Sequence, residues 1–126
     1  MAGSITISTL NNDTGVLSVS NGMTGIAKAW LNYNGSTQTI RASFNISSVT
    51  RNSTGNYTAN FTTAMPNVNY VLAGSQNSST QNMNPTPTSL LTTSVTFYTT
   101  GGAGEGSGVQ FYNYDPTLVL ISVFSA

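Results

Sequence analysis

The chain is a succession of short stretches in which apolar and polar residues alternate, each broken by Gly, Asn, Asp or Pro. A period of two sends successive side chains to opposite faces of a strand, so each stretch predicts a strand with one buried face. Residues 4–10 and 16–20 flank the link Asn11-Asn12-Asp13-Thr14-Gly15 and predict a hairpin. In residues 26–33, Ala27, Ala29, Leu31 and Tyr33 share one face, and Ile26, Lys28, Trp30 and Asn32 share the other. Asn34-Gly35 follows, the strongest short hairpin signal in the chain. Ile40, Ala42, Phe44 and Ile46 then alternate with Arg41, Ser43 and Asn45. After the turn Asn52-Ser53-Thr54-Gly55, Tyr57, Ala59 and Phe61 alternate with Asn56, Thr58, Asn60 and Thr62. Both patterns predict one buried face and one wet, uncharged face.

Residues 70–75 predict a shorter strand, and the two prolines of residues 76–88 predict a polar loop. Leu91, Thr93, Val95 and Phe97 mark a long strand over 89–100. Five glycines among residues 101–108 predict a loop or wide turn, and residues 109–114 and 117–124 close the chain around Asp115-Pro116. The last of these strands is apolar on both faces, as expected for a strand central in a sandwich or pressed against a second chain. No window carries the 3.6-residue period of a long helix. Eight or nine short strands at this spacing predict an all-β, antiparallel β-sandwich, jelly-roll-like or Ig-like, with little or no helix.

Composition narrows the chemistry. The 126 residues suffice for one domain. Charged residues make up 5% of them, against roughly 25% in an average soluble domain. Lys28, Arg41 and Arg51 are too few to neutralise a run of phosphates, which excludes nucleic-acid binding by counterion release and argues against an anionic membrane surface. With no Cys and no His, zinc sites of the Cys/His kind, His-dependent nucleophiles and disulfides are excluded. Asp13, Glu105 and Asp115 each fall in a predicted turn or loop, so neither a glycosidase pair nor a calcium site is expected. No catalytic residue, metal or cofactor is therefore anticipated. No stretch approaches the ~20 apolar residues of a membrane span, and the first residues lack the regions of a signal peptide. The expectation is a soluble protein made in the cytosol and not addressed for export.

Three blocks in order carry a resemblance: Gly-Ile-Ala-Lys-Ala-Trp-Leu-Asn-Tyr-Asn-Gly (25–35), Ile-Arg-Ala-Ser-Phe-Asn-Ile-Ser-Ser-Val-Thr (40–50) and Thr-Gly-Asn-Tyr-Thr-Ala-Asn-Phe-Thr-Thr-Ala-Met-Pro-Asn-Val-Asn-Tyr (54–70). Over residues 25–75, and more loosely to residue 126, the chain resembles a module of bacteriophage tail-fibre and minor virion structural proteins of the cyanophage and marine-phage type. The resemblance implies a non-enzymatic protein of the virion surface that forms a homotrimer and contacts other virion proteins. Arg51 and Asn56 stand where that family often carries acidic residues, so no ion-binding role is carried over. Residues 1–24 have no counterpart in the module and are the expected attachment hairpin, with the sandwich over 25–126. No heptad or collagen-like shaft precedes the module, which suits a tip subunit, a short head fibre or a capsid decoration protein.

Candidate contacts follow from residue type and position. Trp30 is either a sugar-stacking ring or a packing and trimer contact. Tyr98, Tyr112 and Tyr114 near the glycine loop, with Asn82 and Asn84 in the polar loop, are candidate contacts to a neutral host polysaccharide. Leu118, Leu120 and Phe124 of the last strand are candidate subunit-interface residues, as is Arg41, which is expected either to pair with Asp115 or Glu105 inside such an interface or to be solvated. More distant alternatives are a carbohydrate-binding module or adhesin, and a lytic enzyme working through Asp115 or Glu105.

Overall fold

A computed structural model of the chain describes residues 9–12, 15–18, 26–77, 83–103 and 110–125. They form twelve antiparallel strands and no helix. Strands β1 (Thr9–Asn12) and β2 (Gly15–Ser18) make a ribbon of their own, closed more tightly than expected because Asn12 already pairs with Gly15. Two four-stranded sheets make the sandwich. The first contains β3 (Ala29–Asn34), β4 (Thr39–Phe44), β7 (Val71–Gln76) and β12 (Val119–Phe124) in the order β4-β3-β12-β7. The second contains β5 (Ile46–Ser53), β6 (Asn56–Phe61), β8 (Thr86–Leu91) and β9 (Ser94–Tyr98) in the order β5-β6-β9-β8. A second ribbon pairs β10 (Thr100–Ala103) with β11 (Gln110–Asn113).

The core forms where the inward faces meet. Ala29, Leu31, Tyr33, Val119, Ile121 and Val123 from the first sheet pack on Tyr57, Ala59, Phe61, Val95 and Phe97 from the second. Each large side chain so buried contributes about 1.5–3 kcal/mol of hydrophobic stabilisation. Tyr33 meets Tyr57 edge-on at 5.4 Å, Tyr57 meets Phe97 at 5.8 Å, and Phe61 meets Tyr70 edge-on at 5.8 Å. The Tyr70 hydroxyl stays satisfied at depth, 2.9 Å from the carbonyl oxygens of Leu91 and Ser94.

Several boundaries differ from the sequence reading, each for a physical reason. The strand expected over 89–100 is two strands joined at Thr92-Thr93, and β8 begins inside the expected polar loop, at Thr86. β10 draws the first glycines of the expected loop into pairing with β11. Asn34-Gly35 does not make a two-residue hairpin. The turn runs over residues 35–38 with Gln38 at φ 55°, and Asn34 Oδ1 accepts a hydrogen bond from the Thr37 N–H at 3.1 Å.

The alternation of Ile40, Ala42, Phe44 and Ile46 does not place them on one face. A register shift opposite Asn32 and Tyr33 inserts one residue, so Ile40 faces inward with Tyr33 while Ala42 and Phe44 face outward with Asn32 and Trp30. One extra residue on a strand turns all that follows to the other face. Asn45 then takes φ 55° and ends the strand, and β5 starts in the other sheet with Ile46 buried. The Asn45 side chain holds this corner: Nδ2 donates to the carbonyls of Lys28 and Thr63 at 3.0 Å, and Oδ1 accepts from Thr63 N–H at 2.7 Å.

Residues 114–116 clasp the far end of the sandwich. Tyr114 N–H donates to the Thr99 carbonyl at 3.1 Å, and Thr99 Oγ1 donates to the Tyr114 carbonyl at 2.6 Å. The Asp115 carboxylate accepts from Arg51 Nη2 at 2.7 Å, Gly55 N–H at 2.8 Å and the Tyr57 hydroxyl through a short hydrogen bond. The Pro116 carbonyl accepts from Gly35 N–H at 2.8 Å, reaching the first sheet. Partial burial pushes the Asp115 carboxyl upward, but the hydrogen bonds from Arg51, Tyr57 and Gly55 outweigh it and leave it below the ordinary carboxylate range. Burial, and then the bond to Asp115, raise the Tyr57 phenol.

Two predictions follow from this clasp. Asp115→Asn lowers unfolding free energy at neutral pH by about 2–3 kcal/mol, the worth of hydrogen bonds to a charged group. Because the native carboxyl titrates below its unfolded value, that contribution is complete above pH ~4 and is lost as pH falls through the native value. Urea unfolding across this range should show an acid limb in the parent chain that is flatter in the variant. Gly55, at φ +66° with Thr99 and Tyr114 backbone atoms where a Cβ would sit, makes Gly55→Ala destabilising by about 1–3 kcal/mol in the same assay.

Candidate interaction surface

The outward faces of the two sheets differ in kind. On the second sheet, apart from exposed Leu91 on the edge strand β8, the outward side chains are mainly amides and hydroxyls tied into a ladder. Asn52 Nδ2 donates to Asn56 Oδ1 at 3.0 Å and to Thr58 Oγ1 at 2.9 Å, Thr58 and Thr96 hydroxyls lie 3.0 Å apart, and Asn60 Nδ2 donates to Ser48 Oγ at 3.0 Å. Alternation in β6 and β9 produces this directly, since every residue between the buried Tyr57, Ala59, Phe61, Val95 and Phe97 is polar or Tyr98.

On the first sheet the outward face carries large apolar side chains among a few polar ones (Asn32, Ser75 and Ser122). Trp30 stands between Phe44 of β4 and Ser122 of β12, and Ser122 is flanked in turn by Ala73 of β7. Leu120 lies between Asn32 and Ser75, and Phe124 pairs with Val71. Their exposures are 54% for Phe44, 40% for Trp30, 37% for Leu120, 36% for Phe124 and 63% for Val71. The cause lies in β12. Its buried Val119, Ile121 and Val123 face the core, while Leu120 and Phe124, with Ser122 between them, turn outward, with nothing in the described chain lying over them.

The four free sheet edges also differ. β4 carries Arg41 and a bulge, β5 carries Arg51 and two register shifts, and β8 carries Pro87 beside another shift. Such devices keep an edge from pairing with another chain. β7 has none: it runs unbroken along β12 from Val71 to Gln76 with no charge and no proline, and among the described strands it bonds on that side only.

Of the residues singled out from sequence, Trp30, Leu120 and Phe124 come together on this apolar face. Leu118 does not join them. It is half-buried before β12, where its N–H donates to Asn77 Oδ1 at 2.8 Å and its carbonyl accepts from Asn77 N–H at 3.1 Å. Arg41 is exposed at the β4 bulge, and its expected pairing with Asp115 is corrected: that carboxylate belongs to Arg51, because the Arg51 side chain and the residue 54–55 turn lie on the strand pair facing it. Glu105 and Asn82 lie outside the described residues.

Tyr98 is half-buried on the polar face, in register with Asn56 and Thr86, and Thr86 Oγ1 approaches the carbonyl of exposed Asn84 at 3.4 Å. Tyr112 and Tyr114 meet edge-on at 6.4 Å on and beside the second ribbon, at the same end of the sandwich. Sequence reasoning missed Phe44 and Val71 as surface residues. The bulge that turns Phe44 outward leaves no mark in the alternation, whereas Val71 sat in plain view at the start of an uncharged strand.

At the end opposite the clasp, a groove of about 610 Å³ is lined by Ile26, Ala27, Phe44, Ala64, Met65 and Pro66 among others. Phe44 belongs to both groove and apolar face, so the two surfaces are continuous. Asn45 also lines the groove, but all three hydrogen bonds of its amide described above are made within the chain. Among the described residues no three Asp, Glu, His or Cys side chains come together.

The outward turn of Phe44 is directly testable. Phe44→Ser should change unfolding free energy by less than about 1 kcal/mol, whereas Phe97→Ala, at a fully buried position, should lose about 3–5 kcal/mol. Equal losses at both positions would mean that Phe44 is a core residue after all.

Comparison of the chain with protein-family models, with curated proteins and with solved structures gave no match.

Proposed function

We propose that this is a non-enzymatic bacteriophage virion structural protein, a surface-exposed fibre or tip component that trimerises. The observation that carries the reading is the division of the sandwich into an apolar sheet face that nothing in the described chain covers and a hydrogen-bonded amide and hydroxyl face, with no charged side chain facing outward on either described sheet apart from the edge residues Arg41 and half-exposed Arg51. An assembly protein needs one surface that other subunits cover and another that stays wet. The single carboxylate among the described residues, Asp115, is held by three internal donors and is spoken for as structure. The three sequence blocks that resemble the phage module supply the virion setting.

The polar face also suits weak contact with neutral polysaccharide. Tyr98 offers a ring on that face, Tyr112 and Tyr114 lie at the same end, and several copies on one particle would raise avidity without a strong single site.

Immunogold labelling of the parent particle with antibody to this chain tests the reading. Gold on a tail fibre or tip supports it, gold on the head moves the protein to the decoration or short-head-fibre alternative, and unlabelled particles remove the virion assignment. Glycan contact is checked separately with the multivalent protein on immobilised host polysaccharide, where Tyr98→Ala together with Tyr112→Ala should reduce retention about tenfold, each stacked ring being worth about 0.5–1.5 kcal/mol.

A further inference from the structure

We infer that the apolar face of the first sheet is an interface between copies of this chain, with Trp30 and Leu120 at its centre and β7 at its margin. The inference deepens the assembly reading above and rests on it for why the protein should self-associate. Three observations select a second copy of the chain as the occupant.

The first is area. Taking about 150–250 Å² for each large side chain, the exposed portions of Phe44, Trp30, Leu120, Phe124 and Val71 amount to roughly 450 Å². A standard interface takes about 800 Å² from each partner. Ala42, Ala73, Asn32, Ser75 and Ser122, which lie between and beside these residues on the same face, and the adjoining groove with exposed Ile26 extend the surface beyond that patch. A patch of this extent falls within the range of about 300–600 Å² found for the largest exposed apolar patch on a typical monomer, a patch that is often functional.

The second is charge. The outward positions of β3, β7 and β12 carry no ionisable side chain, and on β4 only Arg41 at the bulge is charged. An acidic partner would find only Arg41 at the β4 edge and Lys28 beside the groove, and a basic partner would find no described carboxylate on the face. Two identical neutral faces can meet with no like charges opposed and none desolvated. The third is the edge. Of the four edges of the two sandwich sheets, β7 is the one without a charge, proline or register shift, and it borders this face through Val71 and Ala73. Edges left open in this way are ones that assembly covers. Copies arranged about a shared axis, each turning this face inward, satisfy all three observations and leave the amide face outward.

Trp30 is the only tryptophan in the chain, so its fluorescence reports on the centre of the face. The full chain is taken from about 1 µM to about 1 mM, with mass from light scattering, tryptophan emission and acrylamide quenching read together. Association should move the emission to shorter wavelength and reduce quenching in step with the rise in mass. Leu120→Asp should raise the concentration at which this happens by roughly tenfold or more, with the far-UV spectrum unchanged. Phe44→Lys, on an edge strand where a charged side chain is readily held, is the second variant should Leu120→Asp fail to fold.

A monomer throughout the range overturns the inference, and so does an oligomer in which Trp30 remains fully quenchable. A dilute monomer in which Trp30 is already shielded also overturns it, because the cover would then come from residues 1–25 of the same chain. The outcome is independent of the particle labelling: self-association through this face with unlabelled virions keeps the interface and removes the virion role.

Discussion

Three consecutive residues, Tyr114, Asp115 and Pro116, hold one end of the sandwich together, and the rest of the arrangement depends on them. Tyr114 is locked to Thr99 at the end of β9, Asp115 to Arg51, Gly55 and Tyr57 of the β5–β6 hairpin, and the Pro116 carbonyl to Gly35 at the β3–β4 turn. The segment thereby ties a strand end and both hairpin turns before the chain enters β12. Its position decides where β12 starts, and β12 is the strand on which the first sheet is organised, with β3 on one side and β7 on the other. A chain with so few charges puts one of its three carboxylates at this junction, where a half-buried ion with three donors fixes geometry as no hydroxyl would.

At the other end the device is different in kind. Asn45 adopts a left-handed backbone conformation and uses all of its amide to bridge Lys28 and Thr63, so that the chain leaves one sheet and enters the other without a loop. A carboxylate clasp at one pole and an amide corner at the other leave the two outward faces free of structural duty. Those faces then diverge. Amides and hydroxyls on the second sheet satisfy one another along the strands, while the first sheet presents rings and aliphatic groups. The difference matters because a hydrogen-bonded polar face gains little from being covered, whereas an apolar face gains about 25 cal/mol for every Å² removed from water.

The sequence by itself determined the class of the protein. Alternation in β3 and β6, the supply of Thr, Val, Ile and aromatic residues, and the absence of any helical period required antiparallel strands with one buried face, and that is the structure. The buried sets Ala29-Leu31-Tyr33 and Tyr57-Ala59-Phe61 were legible because period two leaves no freedom once one residue is known to be inside. The apolar final strand was legible as a strand, and its two possible settings were stated, but alternation alone could not choose between them.

Tertiary structure decided the rest. It placed β12 in the middle of a sheet whose outward side nothing in the described chain covers, so the strand is central and its Leu120 and Phe124 remain exposed. It set the one-residue bulge that moved Ala42 and Phe44 to that outward side, although Phe44 alternates with Ile46 as if both were core. It paired Asp115 with Arg51 across 64 positions in sequence, which no local pattern could announce. The reason is common to all three. Local pattern fixes which side of a strand each residue takes relative to its neighbours, but register, sheet order and long-range pairing depend on contacts between segments far apart in the chain. Only the assembled sandwich brings those segments together.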